Sequence, residues 1–438
     1  MSLRQHFVRK IEKHWQHVYT PSATLPAHIV DCPECACRVH LPKLRQGQDA
    51  ACPRCHHHLV HIEPEAYATV LACAFAALIL MLLVYSQPFA NIQMQSVYSP
   101  LTLPAMLHNL LADNWGFLGL VMFALTFGSP VLFLWVTIYV YTGLVWQQNR
   151  PFLLHAIRLI TRLRQWIMID VFFISMLVAY IKIRSVAEIT LGAAFWLMPF
   201  LILLLLRTAV AISPHWLYYQ IHRRGKTPLF QAASDTVCCS RCLYFRPQNE
   251  TFCGVCGSEL FNRRPHSLYV SFMFLLAAII LYFPANFLTI MISQNPMTLE
   301  ISTIMSGIIY MWHKGDRLIA TIIFSASILV PTLKIISMLI LLYCARFKPF
   351  ISVEKLSLQY RLTEAVGRWS MIDIFVIIIL MSTFYTPLAR VTPGPAAIYF
   401  CLVVILTMLS AHFFDVRLLW DKHHMSQTET HTKPISTT

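Results

Sequence analysis

Trp166-Ile-Met-Ile-Asp170-Val-Phe172 and Trp369-Ser-Met-Ile-Asp373-Ile-Phe375 decide how this chain is built. Apolar residues match by chance in a hydrophobic sequence, but a tryptophan and an aspartate at one spacing rarely do. Outward from these stretches, further landmarks recur at a similar separation. Pro130 and Pro331 each interrupt a long apolar run, and Pro88-Phe-Ala-Asn91 answers to Phe283-Pro-Ala-Asn286. Cys32-Pro-Glu-Cys35 and Cys52-Pro-Arg-Cys55 answer to Cys239-Ser-Arg-Cys242 and Cys253-Gly-Val-Cys256. Self-similarity at a fixed period marks a duplicated unit.

Composition names the kind of unit. Hydrophobic residues make up 57% of the 438 and charged residues 12%, against about 25% charged in an average soluble domain. Windows close to the ~20 apolar residues that cross a hydrocarbon core lie at 67–85, 115–146, 166–181 and 189–206. A second set lies at 267–292, 318–344, 369–388 and 391–414. The expected fold is an all-α polytopic membrane protein of about eight transmembrane helices, in two four-helix repeats, each preceded by a small cysteine module. An even number of spans gives both halves the same orientation, a parallel repeat. The expected boundaries are an N-terminal extension at 1–27, a first module at 28–65 and a first transmembrane domain at 66–216. A linker at 217–234, a second module at 235–265, a second transmembrane domain at 266–420 and a tail at 421–438 complete the chain. The residues before the first span are polar and lack the apolar core of a signal peptide, so that span is expected to direct insertion.

The net charge of +14 follows topology rather than a nucleic-acid partner. Lysine and arginine number eight in 1–66, four in 147–165, seven in 213–267, four in 346–366 and three beyond Phe414. The alternate loops, 91–114, 183–188, 293–317 and 389–394, hold none, one, two and one. That asymmetry places both termini and both cysteine modules in the cytoplasm. The segment 151–165, PFLLHAIRLITRLRQ, sets Arg158 and Arg162 four apart against an apolar side. It suits either an amphipathic helix on the inner leaflet or a helical extension packed on the protein.

Two Cys-x-x-Cys knuckles brought together supply four thiolates to one metal. The metal-ligand candidates are therefore Cys32, Cys35, Cys52 and Cys55, and Cys239, Cys242, Cys253 and Cys256, for two structural Zn2+ ions. Iron suits the same ligands. Disulfides do not suit a cytoplasmic module, and a redox dithiol would stand alone on a βαβ unit. Cys37, Cys238 and the run His56, His57, His58 lie nearby and are read as bystanders. Four cysteines leave no open coordination position, so neither site is catalytic.

Charges inside apolar spans usually have a partner or a task. Asp170 and Asp373 begin the third span of each half, where each also suits a helix cap or a partner for Arg164 or Arg368. Lys182 lies near the outer end of the third span, and Lys334 near the middle of the sixth. Aligning Pro130 with Pro331 sets Phe133 opposite Lys334, so the deep lysine belongs to the second half alone. A polar network of Lys334, Asp373, Ser370 and Ser327, with Thr332 and Thr383 near, would allow coupled protonation. Asn91 and Asn286 read as kink and cap residues.

LYFPAN at 281–286, SILVPTLK at 327–334, GRWSMIDIFV at 367–376 and FDVRLLWD at 414–421, with the paired cysteine modules, resemble the paraquat-inducible protein A family. The resemblance spans nearly the whole chain, leaving out the extreme N-terminus and the His-rich tail. It implies an inner-membrane component that works with periplasmic MCE-domain proteins carrying lipids between the two membranes of Gram-negative bacteria. It maps the family's polar intramembrane positions onto Asp170, Lys334, Ser370 and Asp373, and Phe133 departs from that pattern. A phospholipid-transfer component is thus expected, against a secondary transporter of a small molecule or ion, or a zinc- or redox-sensing membrane adaptor. No nucleotide-binding loop and no nucleophile–base set argue for an enzyme.

Overall fold

The computed structural model describes residues 25–45, 47–63, 65–94, 97–146, 152–183, 188–222, 232–233, 235–294, 299–313, 315, 317–347, 351–383 and 390–421. For a few residues within helices and strands, among them Lys182, Arg368 and Asp373, only the backbone is described. The chain gathers into two compact units. One holds the residues up to Leu82 with Gly128–Ile167 and Phe200–Asn262; the other holds Leu83–Phe127, Met168–Pro199 and Arg263 onward.

The first cysteine module is a pair of antiparallel hairpins, β1 (His28–Asp31) with β2 (Arg38–Leu41) and β3 (Asp49–Ala51) with β4 (His58–His61). α1 (Ala66–Ser86) follows, 21 residues without a charge, long enough at about 1.5 Å per residue to cross a bilayer core. It leads into a hairpin of β5 (Ala90–Met94) and β6 (Val97–Leu101) and then α2 (Leu103–Ala112). Thr102 caps α2 by accepting the Ala105 N–H at 3.2 Å. α3 (Gly116–Phe123) passes through a five-residue π turn, Ala124–Gly128, into α4 (Ser129–Val145). Pro130 accounts for that turn: it has no N–H to donate, and its ring crowds the carbonyl four residues back. The helix widens by a residue instead of breaking.

α5 (Leu153–Leu163) and a short turn at Arg164–Trp166 precede α6 (Ile169–Ile183). β7 (Glu188–Leu191) returns to the free side of β5, giving the order β6-β5-β7, before α7 (Ala193–Ala211) and α8 (Pro214–His222).

The second half repeats this order. β8 (Thr236–Cys238) and β9 (Phe245–Pro247) belong to its module, and α9 (Ser267–Phe287) is its first long apolar helix. β10 (Met291–Gln294) and β11 (Leu299–Ser302) form the hairpin, followed by α10 (Ile304–His313) and α11 (Arg317–Phe324). A second π turn, Ser325–Leu329, opens into α12 (Val330–Arg346) just ahead of Pro331. α13 (Val353–Trp369), α14 (Ile372–Thr383), β12 (Arg390–Pro393) and α15 (Ala396–Phe413) complete it, in the sheet order β11-β10-β12.

Among the described residues, seven helices are long and apolar enough to span a membrane; the eighth place is filled by α13 followed by the 12-residue α14. The fold is mainly helical, as expected, but the loops after the first and third spans carry a three-stranded sheet in each half.

Those sheets also correct one alignment. Gly192 donates its N–H to Phe89 O and Gly394 to Ile290 O, both at 2.8 Å. A Cβ on Gly192 would run into the Pro88 carbonyl, and one on Gly394 into the Thr289 carbonyl. Pro88 therefore corresponds to Thr289, and Pro88-Phe-Ala-Asn91 does not answer to Phe283-Pro-Ala-Asn286. Asn91 lies in β5, whereas Asn286 sits in the last turn of α9 and donates to Tyr282 O at 2.8 Å.

The amphipathic segment α5 and its counterpart α13 are packed on protein. α5 buries Leu153, Ile157 and Ile160 and lies against α4. α13 runs antiparallel to α12: Gln359 donates to Ser337 Oγ at 2.9 Å, Thr363 Oγ1 lies 2.7 Å from the same hydroxyl, and Gly367 reaches Lys334. In the second unit α6 packs on α14. There Phe172 meets Phe375 edge-on with centroids 5.6 Å apart, and Ser175 Oγ donates to Ile372 O at 3.1 Å. Phe172 and Phe375 occupy equivalent positions of the repeat. α9 and α15 are joined by a reciprocal pair, Ser271 Oγ to Ser410 O and Ser410 Oγ to Ser271 O, each 2.8 Å. Hydrogen bonds of this kind suit helices meeting where lipid offers no partner.

Candidate metal centres and a buried lysine

All four Cys-x-x-Cys stretches fold into one knuckle. The N–H of the first cysteine donates to the carbonyl five residues on: Cys32 to Cys37 at 2.9 Å, Cys52 to His57 at 2.8 Å, Cys239 to Tyr244 at 3.0 Å and Cys253 to Ser258 at 2.8 Å. The N–H four residues on returns to the first cysteine's carbonyl, which turns the backbone left-handed there. Ala36, His56, Leu243 and Gly257 have φ of 53, 56, 60 and 62°. Only Gly257 is of the type this region favours, and a Cβ on it would also strike the Arg158 guanidinium.

The knuckles converge in pairs. Sγ atoms of Cys32 and Cys55, and of Cys35 and Cys52, lie 3.6 Å apart. Those of Cys239 and Cys256 lie 3.5 Å apart, and those of Cys242 and Cys253 3.6 Å. Within each cluster all four sulfurs fall within 4.8 Å of one another. A tetrahedron of thiolates at about 2.3 Å from a metal has edges near 3.8 Å, so each cluster fits one metal ion. Among the described residues Cys37, Cys238 and the histidine run stay outside the clusters. His56 and His58 are exposed, and His57 Nδ1 faces Glu34 at 2.9 Å.

Around the centres, in the same compact unit, sits an aromatic stack. His28 of β1 and His215 of α8 are stacked at 5.0 Å, and each stacks on Tyr244, at 5.6 and 4.9 Å. His28 Nδ1–H donates to Pro26 O at 2.8 Å and His215 Nδ1–H to Cys242 O at 2.5 Å. The 3.0 Å contact between their Nε2 atoms then requires one shared proton. Burial opposes it, pushing His28 down and His215 down to about 3. Just before α1, Glu63 is buried beside His61 (2.9 Å) and Arg207 (Nη1, 3.1 Å). Burial raises its carboxyl, but the hydrogen bonds from Arg207 and His61 outweigh that and hold it below the usual range. Sequence patterns missed both clusters, because their members lie up to 187 residues apart.

The polar residues expected within the spans divide. Lys334 is 4% exposed, and its Nζ has no hydrogen-bond partner among the described residues. It lies against Gly367, where a Cβ would come within 3.2 Å of Nζ. Ser370 is buried with its Oγ likewise unpartnered among the described residues. Ser327 is buried in the π turn. Thr332 Oγ1 donates to Ile328 O at 2.6 Å and meets the Tyr282 hydroxyl at 2.8 Å, while Thr383 donates to Ile379 O at 2.8 Å. Asp170 is half-buried in the first turn of α6. Asp373 lies near the start of α14, but its side chain, like that of Lys182, is outside the described residues. The expected Lys334–Asp373 pairing therefore falls outside them too.

With this geometry in place, the likenesses can be read. A family model for Paraquat-inducible protein A matches residues 67–222 and again 269–424. Intermembrane transport protein PqiA of Escherichia coli (strain K12) is 34% identical over 92% of this chain and 97% of its own. Lipophilic envelope-spanning tunnel protein A of the same organism is 31% identical over 90% and 91%. A probable intermembrane transport protein of Haemophilus influenzae is 29% identical over 90% and 96%. No solved structure matches. The two matched segments each cover one half, from α1 to past α7 and from α9 to past α15, so the duplication is the family's own. The chain belongs to the paraquat-inducible protein A family.

Proposed function

We propose that this protein is the inner-membrane component of an intermembrane lipid-transport system, passing phospholipid to or from a periplasmic MCE-domain partner. The supporting observation is the near full-length likeness to proteins named for intermembrane transport, which takes in both membrane repeats. Both termini and both cysteine modules face the cytoplasm in this reading, following the lysine and arginine asymmetry. The modules hold one zinc ion each, through Cys32, Cys35, Cys52 and Cys55 and through Cys239, Cys242, Cys253 and Cys256. Closed by four sulfurs, each zinc folds its module and does no chemistry. The chain is a transporter component and not an enzyme.

Transport is proton-coupled through the second half. Lys334, enclosed by α12 and α13, trades a proton with Asp373 as Ser370 and Ser327 supply hydroxyls, while Asp170 and Lys182 mark the corresponding region of the first half. The buried Lys334 Nζ, without a hydrogen-bond partner among the described residues, supports this reading. Affinity purification from membranes, with mass spectrometry of bound protein and lipid, tests it. An MCE-domain protein together with phospholipid is expected. Recovery of neither overturns the assignment.

A further inference from the structure

The two metal centres share a knuckle but not its surroundings. All four cysteines of the second cluster are buried, whereas Cys55 of the first is partly exposed. Five residues after Cys253 stands Ser258, whose Oγ lies 2.8 Å from Cys256 Sγ and 3.3 Å from Cys239 Sγ. The same knuckle position after Cys52 is His57, whose ring is turned to Glu34. Two carbonyls of the second cluster are also held by helices of the first half: Cys242 O by His215 Nδ1–H and Cys256 O by Arg158 Nε–H, both at 2.5 Å. Arg246 also covers the second of these knuckles, close enough that a Cβ on Gly254 would lie 2.7 Å from its Nη2.

We propose that the centres are unequal: the second is a locked metal site, with Ser258 as the residue that locks it, and the first is an exchangeable one. This rests on the reading that both clusters hold metal. Sulfur bound to a metal is a thiolate and only accepts hydrogen bonds, so the Ser258 hydroxyl donates. A divalent ion with four thiolates carries an excess negative charge that resides on sulfur. A sulfur that accepts an O–H spreads that charge and is a weaker base. Protonation or attack by an electrophile, the step that starts ligand release, is slowed. Groups outside the ligand set act on metal affinity by about 10–100-fold. At the first centre the matching position offers a ring directed to a carboxylate, and one of the four cysteines, Cys55, is only partly buried.

The test uses full-length protein in detergent. Metal content is measured first, then the rate of release to an excess of a chromogenic chelator. Two phases of one metal each are expected. The variant C32S/C35S should lose the fast phase and keep the slow one. Ser258→Ala should speed the slow phase by about ten-fold or more and leave the fast phase alone, while Ser258→Thr, which keeps the hydroxyl, should stay close to the parent. His57→Ser places a hydroxyl at the first centre and should slow the fast phase. Release of both metals in one phase, loss of the slow phase in C32S/C35S, or an unchanged slow phase in Ser258→Ala overturns the proposal. Protein that carries no metal in either cluster fails at the first measurement. It refutes the reading beneath the proposal rather than the ranking of the two sites.

Discussion

α4 and α12 are one helix built twice. Each is 17 residues long, follows a five-residue π turn and carries proline at its second position. Three residues past the proline, one buries Phe133 at 0% exposure and the other Lys334 at 4%. The backbone thus fixes a buried position whatever side chain stands there. A ring at that place adds to a core, whereas an ammonium in a membrane-spanning helix costs about 3 kcal/mol even on insertion scales. Packing alone would replace it. The duplicated scaffold is common to both halves, and the second copy keeps a lysine that the scaffold does not require.

Four substitutions test how far the two halves differ. The largest effect is expected from Lys334→Ala, which should abolish complementation of an envelope-stress-sensitive deletion strain while immunoblots and metal content stay near normal. Phe133→Leu should complement and cost less than about 1.5 kcal/mol. Full complementation by Lys334→Ala would make the two halves functionally alike. Next come Gly192→Ala and Gly394→Ala. Each adds a methyl against a backbone carbonyl that cannot rotate away, so each should lose about 1–3 kcal/mol, read as matching drops in detergent melting temperature. A marked inequality would break the equivalence of the two sheets.

The halves also differ in how the first and fourth long helices are joined. In the first half Glu63 pairs with Arg207, and Arg207→Ala should cost about 1–2 kcal/mol, less than a fully buried pair because the arginine is 47% exposed. In the second half Ser271→Ala should cost about 0.6 kcal/mol, as hydrogen bonds between membrane helices do on average. A larger loss from Ser271→Ala than from Arg207→Ala reverses the ranking.

Much of this was legible because hydrophobic length and cysteine spacing are local signals. The long spans, both four-cysteine clusters and the prolines of the repeat follow from residues within a few positions of one another. The three-stranded sheets were not legible: their strands are four or five residues long, too short for a period to emerge, and each is completed by a strand from beyond the third span. The close approach at Gly192 and Gly394 is likewise a meeting of distant backbones, which the likeness of Pro88-Phe-Ala-Asn91 to Phe283-Pro-Ala-Asn286 does not reveal. α5 and α13 look alike on a helical wheel whether they face headgroups or protein. Only the partners, Arg158 with Cys256 O and Thr363 with Ser337, decide between those readings. Among the polar residues within the spans, the sequence marks Lys334 as unusual but has no means of revealing Gly367, whose missing side chain leaves room for the lysine Nζ.

The π turns hold a reserve of length. Each packs one residue more than an α-helical turn would, so sliding the widened turn along the helix would rotate each residue it passes by about 100° with both helix ends fixed. In α12 Lys334 would be among the first residues to swing round, and in α4 Phe133. Proline bars that slide, because the missing N–H fits only at the seam where the ladder is already open. Pro130 and Pro331 therefore act as pawls on a ratchet, holding the helix at one angular setting and keeping the lysine turned inward.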